Sequence, residues 1–128
     1  MNAPVRAPEP PYYAVIFTST RRDPSPDDGY GEMAARMERL AEEQPGYLGL
    51  EAAREGDGLG VTISYWADRA AATAWKQVAE HRAAQSLGRA RWYGSYALRI
   101  CRVEAARDWD AADGPDPGDE RAAAGGAP

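Results

Sequence analysis

The stretch LGVTISYWADRAAATAWKQV, residues 59–78, decides the fold, because it predicts a strand that passes directly into a helix. Its first eight residues alternate as a strand does. The odd-numbered side chains therefore point to one face and the even-numbered ones, Thr62 and Trp66 among them, to the other. Asp68 then stands at the N-cap position of a helix. In that helix the apolar residues recur every three or four positions, which predicts one buried side.

On both sides of this stretch the sequence has the patterns of further strands and helices. Ser25, Pro26 and Asp28 have the pattern of a helix N-terminus, and the Gly- and Asp-rich turn at 55–58 predicts a hairpin. The predicted elements are a strand at 12–20, a helix at 30–41, strands at 47–54 and 59–66, a helix from 69, a further helical segment at 82–90 that follows a hinge at His81, and a last strand at 92–104. This order predicts an α+β, ferredoxin-like β-α-β-β-α-β fold, in which a four-stranded antiparallel sheet carries helices on one face.

The first strand carries large apolar side chains on both of its faces. The two alternating sets are Tyr13, Val15 and Phe17, and Tyr12, Ala14 and Ile16. Helices on one side of the sheet cover only one of these faces, so the other face needs a second sheet. A second copy of the chain is its nearest source, and we therefore predict a homodimer.

Composition divides the chain into three parts. Residues 1–11 are Pro-rich and residues 105–128 are rich in Gly, Pro, Ala and Asp, which predicts a disordered arm and a disordered tail around an ordered domain at 12–104. The net charge is −5 at pH 7, and from residue 104 onward there are seven acidic and two basic side chains. The whole excess therefore lies from Glu104 onward, that is, in the last residue of the domain and in the tail. The neutral domain argues against a nucleic-acid partner.

Several kinds of site and location are also disfavoured by the sequence. Residues 1–13 have no apolar central run like that of a signal peptide, and no window is long and apolar enough to span a membrane. Cys101 is the only cysteine, which excludes an intrachain disulfide and fits the reducing cytoplasm. With one histidine and one cysteine, no zinc site of ordinary type can form. We expect a cytoplasmic protein, and its many Arg and Ala residues are typical of a bacterial one.

Three segments carry a resemblance to a known family. They are PGYLGLE at 45–51, SYWADRAAATAWKQVAEH at 64–81 and WYGSYALRICRVE at 92–104. Over about residues 12–104 the chain resembles the antibiotic biosynthesis monooxygenases (ABM), a family of dimeric α+β barrels. The resemblance implies that the sheets of two subunits pack back to back. It also implies a pocket between the sheet and the helices of each subunit.

The resemblance implies a chemistry that uses no flavin, haem or metal, so no cofactor is expected. The monooxygenases of this family bind an electron-rich phenol or anthrone and assist the loss of a proton. The resulting anion gives an electron to O₂, and the radical pair then combines to form a quinone. We expect an aromatic, polyketide-like substrate. The alternative is a non-redox dimer that binds a small ligand or acts as a lyase or isomerase, and the third candidate binds or degrades haem.

His81 is the candidate catalytic base, since its ordinary pKa suits proton transfer near neutral pH. The alternative is a histidine that hydrogen-bonds the backbone and shapes the hinge. The resemblance disfavours haem, because the haem-degrading relatives use a histidine about ten residues after the helix tryptophan. Ten residues after Trp75 is Gln85, which cannot serve as that ligand. Those relatives also use an asparagine in the first strand, and this strand has none.

The other candidate residues bind the substrate. Trp66, Trp75 and Trp92 would clamp the aromatic ring, although each tryptophan also fits a place in the core. In the characterised monooxygenases an asparagine precedes the tryptophan that matches Trp66, and the residue in its place is Thr62. The resemblance therefore gives the Thr62 hydroxyl, together with Arg82, the role of holding oxygen atoms of the substrate.

The start of the last strand leaves one choice open. Trp92 and Tyr93 are consecutive, so they point to opposite faces and only one of them can look into the pocket. By the same alternation, Tyr96 should share a face with Trp92, and Arg99 should share a face with Tyr93. Arg99 is then a charge within a strand otherwise suited to burial, and a partner across the dimer interface is its predicted role.

Overall fold

The computed structural model describes residues 3–22, 29–56, 58–88 and 92–115. Ser25, Pro26 and Asp28, in which the sequence predicts a helix N-terminus, lie outside the described residues, as does the tail from 116 onward. None of the helices in the described part is long and apolar enough to cross a membrane.

The described elements form a four-stranded antiparallel sheet with two helices. In chain order they are β1 (Tyr12–Arg21), α1 (Tyr30–Glu42), β2 (Tyr47–Arg54), β3 (Leu59–Trp66), α2 (Arg69–Gly88), β4 (Tyr93–Val103) and a short 3₁₀ turn (Ala111–Asp113). The strand order across the sheet is β2-β3-β1-β4. The predicted ferredoxin-like β-α-β-β-α-β fold is therefore confirmed.

Helix α2 begins where the sequence predicts and extends further than it predicts. The Asp68 side chain accepts a hydrogen bond from the backbone N–H of Ala71 (2.8 Å), which satisfies one of the free donors of the first turn. The helix then runs without interruption from Arg69 to Gly88. The predicted hinge at His81 is therefore wrong, because a chain rich in Ala and free of Gly and Pro up to residue 87 favours one continuous helix.

The core lies between the helices and one face of the sheet. Strand register places Val15 beside Ser64 and Ile100, so these side chains share the face toward the helices. The buried cluster on this face consists of Val15, Ala41, Trp66, Ala72 and Trp75, with Tyr13, Met37, Leu40, Tyr47, Ala71, Val78, Leu98 and Ile100 packed around it. Ala and Gly at the helix–sheet contacts allow a close approach: a Cβ on Gly46 would lie 2.8 Å from that of Ala71.

A β-bulge near the start of β4 changes which residues share a face. Thr20 pairs with Ser95, but the next residue, Arg21, pairs with Tyr93, so Gly94 is an extra residue in β4. From Ser95 onward the side chains of β4 alternate between the two faces of the sheet. The extra residue places Tyr93 on the face opposite to the one that this alternation predicts for it. Tyr93 lies against Tyr96, with ring centroids 6.4 Å apart. The sequence prediction that Tyr93 shares a face with Arg99 is wrong for this reason.

The opposite face of the sheet carries the N-terminal arm at one side. The backbone N–H of Val5 donates to one carboxylate oxygen of Glu51 (2.8 Å), and the Tyr65 hydroxyl donates to the other (2.7 Å). Burial, together with this bond to Glu51, raises the pKa of Tyr65. At the protein surface Arg6 of the N-terminal arm pairs with Asp113 (3.2 Å), so the arm also contacts the segment that follows β4.

Candidate functional site

A cavity of about 420 Å³ lies between the helix-side face of the sheet and the two helices. Its wall is mainly apolar and aromatic, which is typical of sites for small organic molecules. The lining residues are Phe17, Tyr30, Met33, Ala34, Met37, Glu38, Leu50, Ala52, Ala53, Arg54, Val61, Thr62, Trp75, Ala79, Arg82, Ala83 and Tyr93.

The sheet contributes the floor of the cavity. Phe17 in β1 pairs in register with Thr62 in β3, and Thr62 pairs with Ala52 in β2, so these three residues form one row across the sheet. Among the residues that the structure describes, the Thr62 hydroxyl has no hydrogen-bond partner. It is therefore available to a molecule in the cavity. Phe17 also packs edge-on against Tyr93, with centroids 5.2 Å apart.

Two stacked tryptophans separate the cavity from the core. Trp75 in α2 lines the cavity, and its ring stacks on that of Trp66 with 5.6 Å between centroids. Trp66 is fully buried, and its indole N–H donates to the Ser64 hydroxyl (2.8 Å). Trp66 therefore supports Trp75 from behind and does not line the cavity.

One end of the cavity is polar and positively charged. The Arg54 guanidinium donates to the Ser19 hydroxyl (2.7 Å) and to the Tyr30 hydroxyl (3.3 Å). The Arg21 guanidinium lies over the Tyr30 ring, 3.7 Å from its centroid. Tyr93 is buried and hydrogen-bonded to Tyr30, and burial, followed by the interactions with Tyr30, raises its pKa, against the opposing effect of the two arginines. The Tyr93 phenol therefore stays protonated at neutral pH.

The helices contribute two charged groups to the wall. Glu38 of α1 and Arg82 of α2 both line the cavity while their side chains remain exposed to solvent. Arg82 forms no ion pair with any acidic group in the described part of the chain. Arg82 also borders a second depression, whose other lining residues belong to α1 and the residue that follows it.

The structure brings three of the six sequence-derived site residues to the cavity: Thr62, Trp75 and Arg82. Trp66 lies behind the wall, as described above. Trp92 precedes β4 and packs edge-on against Tyr30, with 6.4 Å between centroids, so Tyr93 is the one of the pair that lines the cavity. His81 is exposed on α2 and is not among the lining residues.

Arg54 and Tyr30 are lining residues that the sequence reasoning missed. The signal for Arg54 was the glycine opposite it, since Arg54 pairs in register with Gly60. A Cβ on Gly60 would collide with the Arg54 guanidinium, so this pair lets an arginine lie flat across the next strand. Nothing in the local pattern of Tyr30 distinguishes it from an ordinary residue at the start of a helix.

The described part of the chain contains no group of three or more His, Cys, Asp or Glu side chains placed to hold a metal ion. The profile of the antibiotic biosynthesis monooxygenase family matches residues 13–87, which is more than half of the chain. The chain belongs to this family. Within the ABM family, its relatives include the Bacillus subtilis (strain 168) protein YqjZ, which is itself uncharacterised. The two are 51% identical over 102 residues, which is 80% of this chain and 88% of YqjZ.

Solved structures support the ABM fold. NE2512 from Nitrosomonas europaea, a protein of unknown function, superposes with a TM-score of 0.60 at 16% identity, over 78% of this chain and 96% of that one. A variant of SnoaB, a cofactor-independent oxygenase from Streptomyces nogalater, superposes with a TM-score of 0.56 at 20% identity, over 78% of this chain and 97% of SnoaB. At these identities the similarity shows the fold alone.

Proposed function

We propose that this ABM protein is a cofactor-independent monooxygenase that oxidises an aromatic phenol or anthrone with O₂ in the cavity between sheet and helices. The observation that supports it is the cavity itself. It has about 420 Å³ of space, aromatic walls at Phe17, Trp75 and Tyr93, and on its floor the Thr62 hydroxyl, which has no hydrogen-bond partner within the described part of the chain. SnoaB, which shares the fold, is a cofactor-independent oxygenase.

The reaction is balanced without a further reductant. The bound anthrone loses a proton, and its anion passes one electron to O₂, which gives a substrate radical and superoxide. The two combine at the ring carbon to form a peroxide anion, which takes up a proton to give the hydroperoxide, and loss of water leaves the quinone. One O₂ is consumed, one oxygen atom enters the product and the other leaves as water. The chain's part is to orient the ring and to stabilise the anion.

Each role falls to a residue that lines the cavity. Trp75, held by its stack on Trp66, would fix the plane of the substrate ring. The Thr62 hydroxyl would donate to an oxygen of the anion or of the peroxide. The positive charge of Arg82 would lower the pKa of a bound hydroxyl, so that water at the cavity mouth accepts the proton. We assign no step to His81, because it is exposed and does not line the cavity.

Oxygen uptake tests this proposal. Anthrone and anthrone-2-carboxylate are mixed with the protein in an oxygen electrode, and quinone formation is followed by absorbance. We expect uptake above the spontaneous rate, one O₂ per anthrone converted to quinone, and a loss of at least about tenfold in Trp75→Leu, because an unanchored ring loses its reactive orientation. Trp109→Leu, a change at an exposed tail residue, is the matched control. Uptake no faster than the spontaneous rate with both substrates would contradict the proposal.

A second candidate, a non-redox protein that binds an aromatic ligand, has one observation in its favour. Thr62, which the resemblance aligns with an asparagine of the characterised monooxygenases, offers a hydroxyl in place of an amide, and the tryptophan four residues later, Trp66, is buried and bonded to Ser64. This function predicts that an aromatic ligand raises the melting temperature in proportion to its occupancy while no O₂ is consumed.

We also propose that the active protein is a homodimer joined through the sheet face opposite the helices. Ile16 in β1 pairs in register with Ile63 in β3 and with Arg99 in β4, so this face has apolar side chains near its centre and a charge beside them. Apolar side chains near the centre of an exposed face favour association with a second copy.

A further inference from the structure

Arg54 occupies a place built for a guanidinium. It ends β2 and lies across β3 at Gly60, where any side chain would collide with it. One terminal nitrogen donates to the backbone carbonyls of Gly58 (2.9 Å) and Ser19 (3.3 Å). The other donates to the hydroxyls of Ser19 (2.7 Å) and Tyr30 (3.3 Å). The side chain is therefore held in one orientation at the cavity wall.

These bonds orient the charge of Arg54 without neutralising it. All four acceptors are carbonyl or hydroxyl oxygens, and none carries a negative charge. Within the described residues no carboxylate pairs with Arg54, and Glu38, the acidic residue of the cavity wall, forms no bond to it. The Arg54 side chain has five N–H donors, and the Nε–H is the one donor that has no acceptor among the described residues. A partly buried cation in an apolar cavity without a counter-ion favours an anionic ligand.

The surroundings of Arg54 add to this preference. Its neighbour Tyr30 lies under a second guanidinium, that of Arg21, and the Tyr93 phenol beside Tyr30 is protonated at neutral pH. The polar end of the cavity therefore contains the Arg54 cation and the hydroxyls of Tyr30 and Tyr93, with the Arg21 guanidinium over the Tyr30 ring. Beyond it the wall is apolar and aromatic, with Phe17, Leu50 and Trp75. A ligand that matches both parts has an aromatic ring and an acidic group at one edge.

We propose that Arg54 is the anion-binding and specificity-determining residue of the cavity, and that the cavity selects aromatic ligands that carry a carboxylate. Under the proposed function, on which this deeper assignment of the substrate class rests, the substrate is an oxidisable hydroxyaromatic acid. Its ring lies against Trp75, and its carboxylate pairs with Arg54. Binding of the carboxylate by Arg54 needs no O₂, so it can be measured without catalytic turnover.

The test compares two ligands of the same shape, 2-naphthoate and the neutral 2-naphthamide. Their dissociation constants are measured by calorimetry at pH 7.5 with the full chain. We expect the wild type to bind the acid at least about tenfold more tightly than the amide, as one charge-assisted hydrogen bond in a partly buried site supplies. Equal affinity of the wild type for the two ligands, or no binding of the acid, would overturn the proposal.

Three variants locate the preference. Arg54→Met should abolish it with little change in the affinity for the amide, whereas Arg54→Lys should retain part of it, since the charge remains and the planar fork is lost. Arg82→Met, the change at the other lining arginine, should retain the preference, because under the proposed function Arg82 acts on the ring hydroxyl and Arg54 binds the carboxylate. A preference that survives Arg54→Met and disappears in Arg82→Met would overturn the assignment. Circular dichroism checks that each variant is folded. If Arg54→Met does not fold, the wild-type comparison still tests the preference for the acid, and Arg54→Lys tests the role of Arg54.

The binding result is independent of the oxygenase result. Absence of O₂ uptake together with a preference for the acid would contradict the proposed function and leave the role of Arg54 supported. O₂ uptake with anthrone and no preference for the acid would support the proposed function and contradict the role of Arg54.

Discussion

The rings of Trp66 and Trp75 stack with 5.6 Å between centroids and 28° between planes, yet only Trp75 reaches the cavity. Trp66 is completely buried, and its N–H is bonded to Ser64, whose hydroxyl in turn donates to the Val15 carbonyl (3.5 Å). Trp66 therefore belongs to the core alone, whereas Trp75 belongs both to the core and to the cavity wall. Because the two rings are in contact, packing of the core sets the position of the cavity wall.

The first prediction tests the role of Trp66 in the core by measuring the stability of the fold. Trp66→Phe removes a buried donor, leaves the Ser64 hydroxyl with one partner fewer and opens a small void. We expect it to lower the free energy of unfolding by about 1–3 kcal/mol. Trp109→Phe removes an indole that is 43% exposed, and we expect a cost below about 0.5 kcal/mol. Urea unfolding followed by circular dichroism measures both, and equal costs would show that Trp66 is not the core residue described here.

The second prediction concerns the close approach of the turn before β2 to α2. Gly46 has φ +84, and a Cβ there would meet that of Ala71 at 2.8 Å. Gly46→Ala therefore combines backbone strain with a steric overlap, and we expect a loss of about 2–4 kcal/mol. Gly56 also has positive φ (+49) but faces open space, so Gly56→Ala should cost only about 1 kcal/mol. Chemical denaturation compares the two, and a cost for Gly46→Ala no greater than that for Gly56→Ala would argue against the helix contact.

The third prediction concerns His81. The exposed position of His81 outside the cavity leads us to expect that His81→Ala retains O₂ uptake with anthrone within about twofold of the wild type. Loss of a general base usually lowers the rate by about 10²-fold or more. A loss of that size, with unchanged melting temperature, would show that the histidine takes the proton after all.

The fourth prediction concerns stability at alkaline pH. Burial raises the pKa of Tyr93 above its ordinary value of 10 in the folded protein. Below pH 10 the phenol is protonated in both states, and its contribution to stability is fully present. As the pH rises above 10 the unfolded chain loses this proton first, so the free energy of unfolding falls, by up to about 1.4 kcal/mol per pH unit from this group.

Tyr93→Phe is the variant that isolates this effect. It should lower stability at pH 8, because the hydrogen bond to Tyr30 is lost, but its stability should fall less steeply between pH 10 and 11. Tyr96→Phe at a partly buried position is the control and should keep the wild-type slope. Urea titrations at each pH measure the slopes. The same slope in the wild type and in Tyr93→Phe would contradict the raised pKa.

The fifth prediction tests the dimer. Ile16→Lys places a second positive charge beside Arg99, its partner in β4, at the centre of the sheet face opposite the helices. We expect the wild type to have the mass of two chains by light scattering and this variant to have the mass of one, because like charges that are buried together oppose association. Ile16→Val keeps the face apolar and should leave the mass unchanged. A wild-type protein with the mass of one chain would contradict the homodimer.

The sequence by itself determined the order of strands and helices, and with it the ferredoxin-like fold. The alternation in residues 59–66 and the cap at Asp68 are local patterns, and each depends only on neighbours along the chain. The same patterns placed Thr62 on one face of its strand and Trp75 on the apolar side of its helix, whereas the resemblance to the ABM family gave both residues their place in the site.

The tertiary structure alone decided which other side chains enter the cavity. One extra residue at Gly94 reverses the alternation of β4 and brings Tyr93 to the cavity wall, and local preferences do not reveal such a bulge. The continuous course of α2 leaves His81 exposed, and the glycine across from Arg54 lets a strand-end arginine reach inward. These outcomes depend on contacts between residues far apart in sequence. A shift of one residue in strand register or a bend in a helix moves a side chain to the opposite face, and only packing selects between the two.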